Sequence, residues 1–159
     1  MGHIHEKIDF SVEIFIVHKN KVLLRMHDKL GFWLSVGGHI ELNEDPVEAA
    51  IREVKEEVGL DIKIIGEADG PLHGEKDNRN YKYLIPPRYL GRHPINEKHE
   101  HIVFVYFAKA ETDLISESIL EHEKGVEMKW MAIDDLNKNE FIPNVKFYAV
   151  KALEELGEK

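Results

Sequence analysis

Residues Gly38 to Leu60 read GHIELNEDPVEAAIREVKEEVGL, and the punctuation inside that stretch predicts a helix over residues 46–58. Asp45 suits the cap, Pro46 suits the first helical position because it has no N–H to leave unpaired, and Glu48 completes a capping-box-like start. Gly59 is the stop. At about 100° per residue, Val47, Ile51, Val54 and Val58 fall in one narrow stripe, the face expected to lie on a sheet. Glu53, Glu56 and Glu57 stand at i, i+3 and i+4, which gathers three carboxylates on a different face beside the small residues Ala49 and Ala50.

Outward from this helix the composition turns to strands. Phe10 to Val17 and Val22 to Met26, separated by Lys19, Asn20 and Lys21, predict a β-hairpin. A short strand from Trp33 to Val36 leads into Gly37 and Gly38, where a backbone without Cβ can turn sharply or approach a ligand closely. Leu60 to Ile65, His101 to Ala108 and Glu127 to Ile133 predict further strands. Asp134 to Asn137 predicts a helical turn and Pro143 to Leu156 an amphipathic closing helix. Residues 70–100, with four prolines among Arg79, Tyr81, Tyr83, Arg88, Tyr89 and Arg92, are expected to be an irregular insertion. The order of strands and helices predicts an α/β or α+β sandwich built on a mixed sheet.

The chain has 159 residues with 43% apolar content, enough for one domain with its own core and too few for two, so residues 1–159 are read as a single unit. A net charge of -9 at pH 7 argues against an extended nucleic acid, whose backbone demands clustered Lys and Arg. It is compatible with a small phosphate compound if a divalent cation stands between carboxylates and phosphates. The absence of cysteine removes disulfides, thiolate nucleophiles and Cys-based zinc sites together. Residues 1–10 lack the apolar core of a signal peptide and no later run is long enough to span a bilayer, so a soluble cytoplasmic protein without membrane contact is expected.

Three like charges on one helix face destabilise a helix by about 0.2–0.5 kcal/mol per pair. A helix selected for stability alone would interleave Lys or Arg there, and a divalent cation reverses the sign of the term. The bland alternative is a solvated Glu-rich face. The neighbours decide against it. Gly38, Glu44, Arg52, Glu53, Val54, Glu56, Glu57, Gly59 and Leu60 stand at every fixed position of the Nudix box, and the chain resembles the Nudix hydrolases on that ground. The preceding hairpin, Phe32 and Trp33 before the glycine turn, and the later segment EMKWMAIDDL (127–136) extend the likeness over most of the chain outside residues 70–100.

The resemblance implies an α/β/α sandwich and a hydrolase that cleaves a diphosphate bond in a nucleoside diphosphate linked to another moiety. It implies Mg²⁺ or Mn²⁺ on Glu53, Glu56 and Glu57 with a backbone carbonyl near Gly37 or Gly38. Arg52 and Glu44 would then act as an orienting pair away from the metal. The nucleophile would be a water whose pKa the metal lowers, with Glu53 or Glu56, or a loop carboxylate among Glu117, Glu121 and Glu123, taking its proton. A small nucleotide-type substrate and a homodimer are implied as partners. A silent nucleotide-sensing module is the rival reading, against which the complete box stands. The isomerase branch of the family relies on a cysteine that this chain lacks.

Outside the box, candidates compete with ordinary structural roles. Phe32 and Trp33 could stack on a base, or pack beside a strand. Arg25 could reach a phosphate, or stay solvated. Tyr89 and Arg92 could select the substrate from the insertion, or stiffen a surface loop. His99 and His101, at i and i+2, face one side of a strand, but no third ligand is placed by the sequence, so no zinc site is expected.

Overall fold

The computed structural model describes residues 6–27, 31–70, 81–121 and 124–158. Glu123 and residues 71–80, Arg79 among them, lie outside the described residues.

The sheet is organised around two long apolar strands. β1 (Ile8–His18) and β7 (His99–Ala110) run parallel and stay in register from Ile8 opposite Glu100 to Val17 opposite Lys109. Parallel central strands are covered on both faces and so carry apolar residues on both. Val12, Ile14, Ile16 and Tyr106 point to one side, and Phe15, Val17, Val105 and Phe107 to the other. Helix α1 (Pro46–Val58) covers the first face through Ala49, Ala50, Val54 and Val58, and helix α3 (Pro143–Leu156) covers the second through Val145, Ala149 and Ala152. The result is the expected α/β/α layering around a mixed sheet.

The remaining strands pair on either side of this axis. β5 (Ile62–Ile64) runs antiparallel along the end of β7, while β8 (Met128–Met131) and β3 (Phe32–Leu34) flank β2 (Lys21–His27). The predicted hairpin exists, but β1 and β2 are in register only where Val17 faces Val22 and His18 faces Lys21. Beyond that the strands part. The first half of β1 pairs instead with β4 (Val36–His39), from Ser11 opposite His39 to Ile14 opposite Val36. The sheet therefore splits between β4 and β2, and the predicted single strand at Trp33–Val36 is two strands broken at Ser35.

Two expectations are corrected. Residues 89–96, expected as irregular, form strand β6 (Tyr89–Asn96) antiparallel to β7, with a register shift between Pro94 and Asn96. Among the described residues β6 pairs with β7 alone, so the missing N–H of Pro94 falls at a sheet edge, where proline is tolerated. The buried arc of α1 is also turned from the valine stripe. Ile51 is 48% exposed, whereas Glu53 and Glu57 are 7% and 1% exposed. The short helix α2 (Ile133–Lys138) links β8 to α3.

Candidate functional site

Asp45 accepts the N–H groups of Val47 and Glu48, and the Glu48 carboxylate accepts the Asp45 N–H, so the capping box is complete and fixes the rotation of α1. That rotation turns Glu53 and Glu57 under β4. A Cβ on Gly38 would overlap the Glu53 carboxylate, so glycine is what lets this acid reach the strand backbone. The Gly37 N–H donates to Glu57 Oε2 at 3.3 Å, and Arg25 of β2 places Nη1 3.2 Å from Glu57 Oε1. Arg25, expected either on a phosphate or in solvent, instead holds a buried carboxylate of the helix.

Arg52 gathers the rest. Its Nε and Nη2 donate to both oxygens of Glu44, its Nη1 donates to Glu53 at 2.9 Å and Glu56 at 3.1 Å, and its Nη2 also donates to the carbonyl of His39 at 2.9 Å. A planar fork with five N–H groups suits this bridging. The hydrogen bond from Arg52 is the largest influence on Glu44 and holds its carboxyl below the ordinary value, while Arg52 is itself raised, first by Glu44. The four box residues Glu44, Arg52, Glu53 and Glu56 thus form one network, and Glu57 stands beside it on a separate arginine.

A hard cation fits this donor set. Glu53 and Glu57 are almost fully buried carboxylates within one helical turn, and Glu56 opens toward water with a side chain 28% exposed. Oxygen donors with a wet edge are what Mg²⁺ and Mn²⁺ take, keeping part of their shell for water and phosphate.

The split in the sheet opens a cavity of about 220 Å³ beside these acids, with walls that include Glu13, Arg25, His27, Gly37, Gly38 and His39. Oε2 of Glu13 and Nδ1 of His27 are buried there with no hydrogen-bond partner among the described residues. Burial pushes the Glu13 carboxyl above its ordinary value. Neither residue is among the sequence-derived candidates. A signal for Glu13 did exist in the sequence, as the one acid inside the apolar run SVEIFIV (11–17).

The other candidates lie elsewhere. Trp33 packs at the margin of the α3-side core, and Phe32 is 48% exposed. The Tyr89 ring sits among Phe107, Phe147 and Tyr148, with centroids 4.9 to 6.0 Å away. Arg92 is paired with Glu100 at 2.7 Å. None of these four lines the cavity. Of the loop acids, Glu117 accepts the Gly125 N–H at 3.1 Å, and Glu121 is an exposed partner of Lys124. The loop itself is tied to the end of α1, Ser116 N–H donating to the Val58 carbonyl and Ile119 N–H to that of Glu56.

Comparison with known proteins gives a consistent picture. The NUDIX domain profile matches residues 9–151. A dihydroneopterin triphosphate diphosphatase of Haemophilus influenzae is 33% identical over 124 residues, covering 74% of this chain and 75% of that protein. A probable DHNTP pyrophosphohydrolase of Lactococcus lactis is 30% identical over 95 residues, covering 56% of this chain and 57% of the relative. This chain therefore spans little more than half the length of the latter. Among solved structures, a NUDIX-family hydrolase from Clostridium perfringens superposes with a TM-score of 0.83 at 38% identity, over 93% of this chain and 97% of that one.

Proposed function

This chain belongs to the NUDIX family, and from that premise we propose that it is a divalent-metal-dependent diphosphatase. It acts on a small compound in which a flat heterocycle is carried on a triphosphate or a substituted diphosphate. The observation that carries this reading is the convergence of Glu53, Glu56 and Glu57 under the Gly37–Gly38 turn, with Arg52 spanning Glu44, Glu53 and Glu56. Mg²⁺ or Mn²⁺, held by Glu53, Glu56 and Glu57 together with the Gly38 backbone, supplies charge neutralisation of the diphosphate and a lower pKa for the attacking water.

The side chains divide the remaining work. Arg52 fixes the rotamers of Glu53 and Glu56 and keeps Glu44 ionised. Arg25 and the Gly37 N–H orient Glu57. Glu53 or Glu56 of the helix, or a carboxylate of the loop in which Glu117 accepts the Gly125 N–H and Glu121 pairs with Lys124, would accept the proton of the water on a carboxylate oxygen. Attack on phosphorus breaks one bridging P–O bond and releases two phosphate-bearing products.

The heterocycle is assigned to the cavity between β4 and β2. Its buried Glu13 carboxyl presents an acceptor to an amino-imino ring edge, as in a pterin or a guanine, and the likeness to a dihydroneopterin triphosphate diphosphatase and to a probable DHNTP pyrophosphohydrolase supports that choice. The test is a panel of dihydroneopterin triphosphate, guanine and adenine nucleoside triphosphates, ADP-ribose and nucleotide sugars, each with Mg²⁺, with Mn²⁺ and with chelator. Metal-dependent cleavage strongest on the pterin or guanine compounds is the expected result. Equal rates on adenine compounds would remove Glu13 from substrate choice. Tight nucleotide binding without any turnover would make the chain a sensing module.

A further inference from the structure

A second group of ligand-type side chains lies at the end of the sheet, outside the carboxylate network. Asp9 of β1 is in register with His101 of β7, His99 precedes it by two residues on the same face, and β4 lays His39 opposite Ser11. Three strands thus bring three imidazoles and one carboxylate together, with their ligand atoms all within 4.8 Å of one another. His101 Nε2 is 2.9 Å from His99 Nε2 and 3.3 Å from His39 Nε2, and Asp9 Oδ2 lies 3.5 Å from His99 Nε2. The rings stand nearly perpendicular to His101, at 89° and 82°.

Hydrogen bonding does not account for this packing. Each Nε2 carries either one hydrogen or one in-plane lone pair, so His101 Nε2 can satisfy one of its two close nitrogen neighbours and not both. A cation at the centre accepts a lone pair from each. Zn–N bonds of about 2.0–2.1 Å in a tetrahedron set the nitrogens about 3.3 Å apart, and the two close nitrogen pairs, at 2.9 and 3.3 Å, are near that spacing.

We propose that Asp9, His39, His99 and His101 form a binding site for a borderline-soft divalent cation of the Zn²⁺ class, separate from the acidic site on α1. Imidazole-rich sites favour Zn²⁺ and its late transition-metal neighbours, whereas Mg²⁺ prefers oxygen donors, so the two sites discriminate by chemistry. A cation here joins β1, β4 and β7. His39 and His101 also line the cavity between β4 and β2, so the site forms part of its wall.

The test uses the tag-free full chain, dialysed against Zn²⁺ in the presence of excess Mg²⁺ and analysed for bound metal, with Co²⁺ as a spectroscopic probe. The expected result is one Zn²⁺ per chain and the strong visible absorption of tetrahedral Co²⁺. His101→Gln and, independently, His99→Gln should weaken binding by at least about 100-fold, as expected for losing a ligand rather than an outer partner. Circular dichroism shows whether each variant is folded, and the more peripheral His99 keeps the test informative if His101→Gln is not. The Glu56→Gln/Glu57→Gln double variant and the His3→Gln/His5→Gln double variant should keep the metal. Retention by both β7 variants, loss in either double variant, or no uptake by the wild type overturns the proposal.

Discussion

Glu57 is 1% exposed, and its charge is compensated by Arg25 and the Gly37 N–H. A buried carboxylate that is costly to desolvate persists where its charge has a use. Glu57→Gln is nearly isosteric, so circular dichroism should report an intact fold while the Mg²⁺-dependent rate falls by at least about 100-fold. A rate close to wild type would remove Glu57 from the metal site. Glu13 supplies a pH test. Its folded-state pKa lies above the unfolded value of about 4.5 because of burial, so the native state binds the proton more tightly. Its contribution to stability is full below the unfolded pKa and is lost as pH rises toward the folded one. Glu13→Gln should flatten that part of the stability profile, as read from urea midpoints at stepped pH. The box acids are legible in sequence because one helical turn sets their spacing. Glu13 leaves only the trace of a lone acid in an apolar run and His27 none, since their meaning depends on a split between strands that no local pattern encodes.

The helix α1 follows from local signals almost residue by residue: an Asp cap, Pro at the first position and Gly59 in the left-handed conformation at φ 69°. Removing the cap by Asp45→Ala should cost about 1 kcal/mol, a fall of about 2–4 °C in Tm for a domain of this size. What the helix pattern misjudges is rotation. The apolar stripe marks one flank of the buried arc, and two carboxylates fill its middle because they face a site rather than lipophilic core. Strand β6 escapes sequence reading for another reason. Gly91 and Pro94 interrupt its composition, and its stability comes from pairing with β7. Tyr89, read from the sequence either as a substrate contact or as part of a stiffened surface loop, anchors this strand to α3 through Phe147 and Tyr148. Tyr89→Ala should lower stability by about 2–4 kcal/mol and leave the ranking of substrates unchanged. A changed ranking at unchanged Tm would return Tyr89 to the substrate.

At the scale of the molecule, the parallel pair β1 and β7 holds the two functional features on one frame. One face carries α1 with its acids, and the split beyond β4 opens the cavity beside them. No helix among the described residues is long and apolar enough to cross a membrane. A net charge of -9 repels a triphosphate, so in the proposed function a divalent cation would assist substrate binding as well as chemistry. The most direct measurement of the central claim is hydrolysis of dihydroneopterin triphosphate or GTP in ¹⁸O-labelled water with Mg²⁺, followed by ³¹P NMR of the products. The prediction is one ¹⁸O in a phosphate product, with the reaction stopped by chelator and by Glu57→Gln. Unchanged cleavage under chelator, or labelled oxygen on carbon instead of phosphorus, would contradict it.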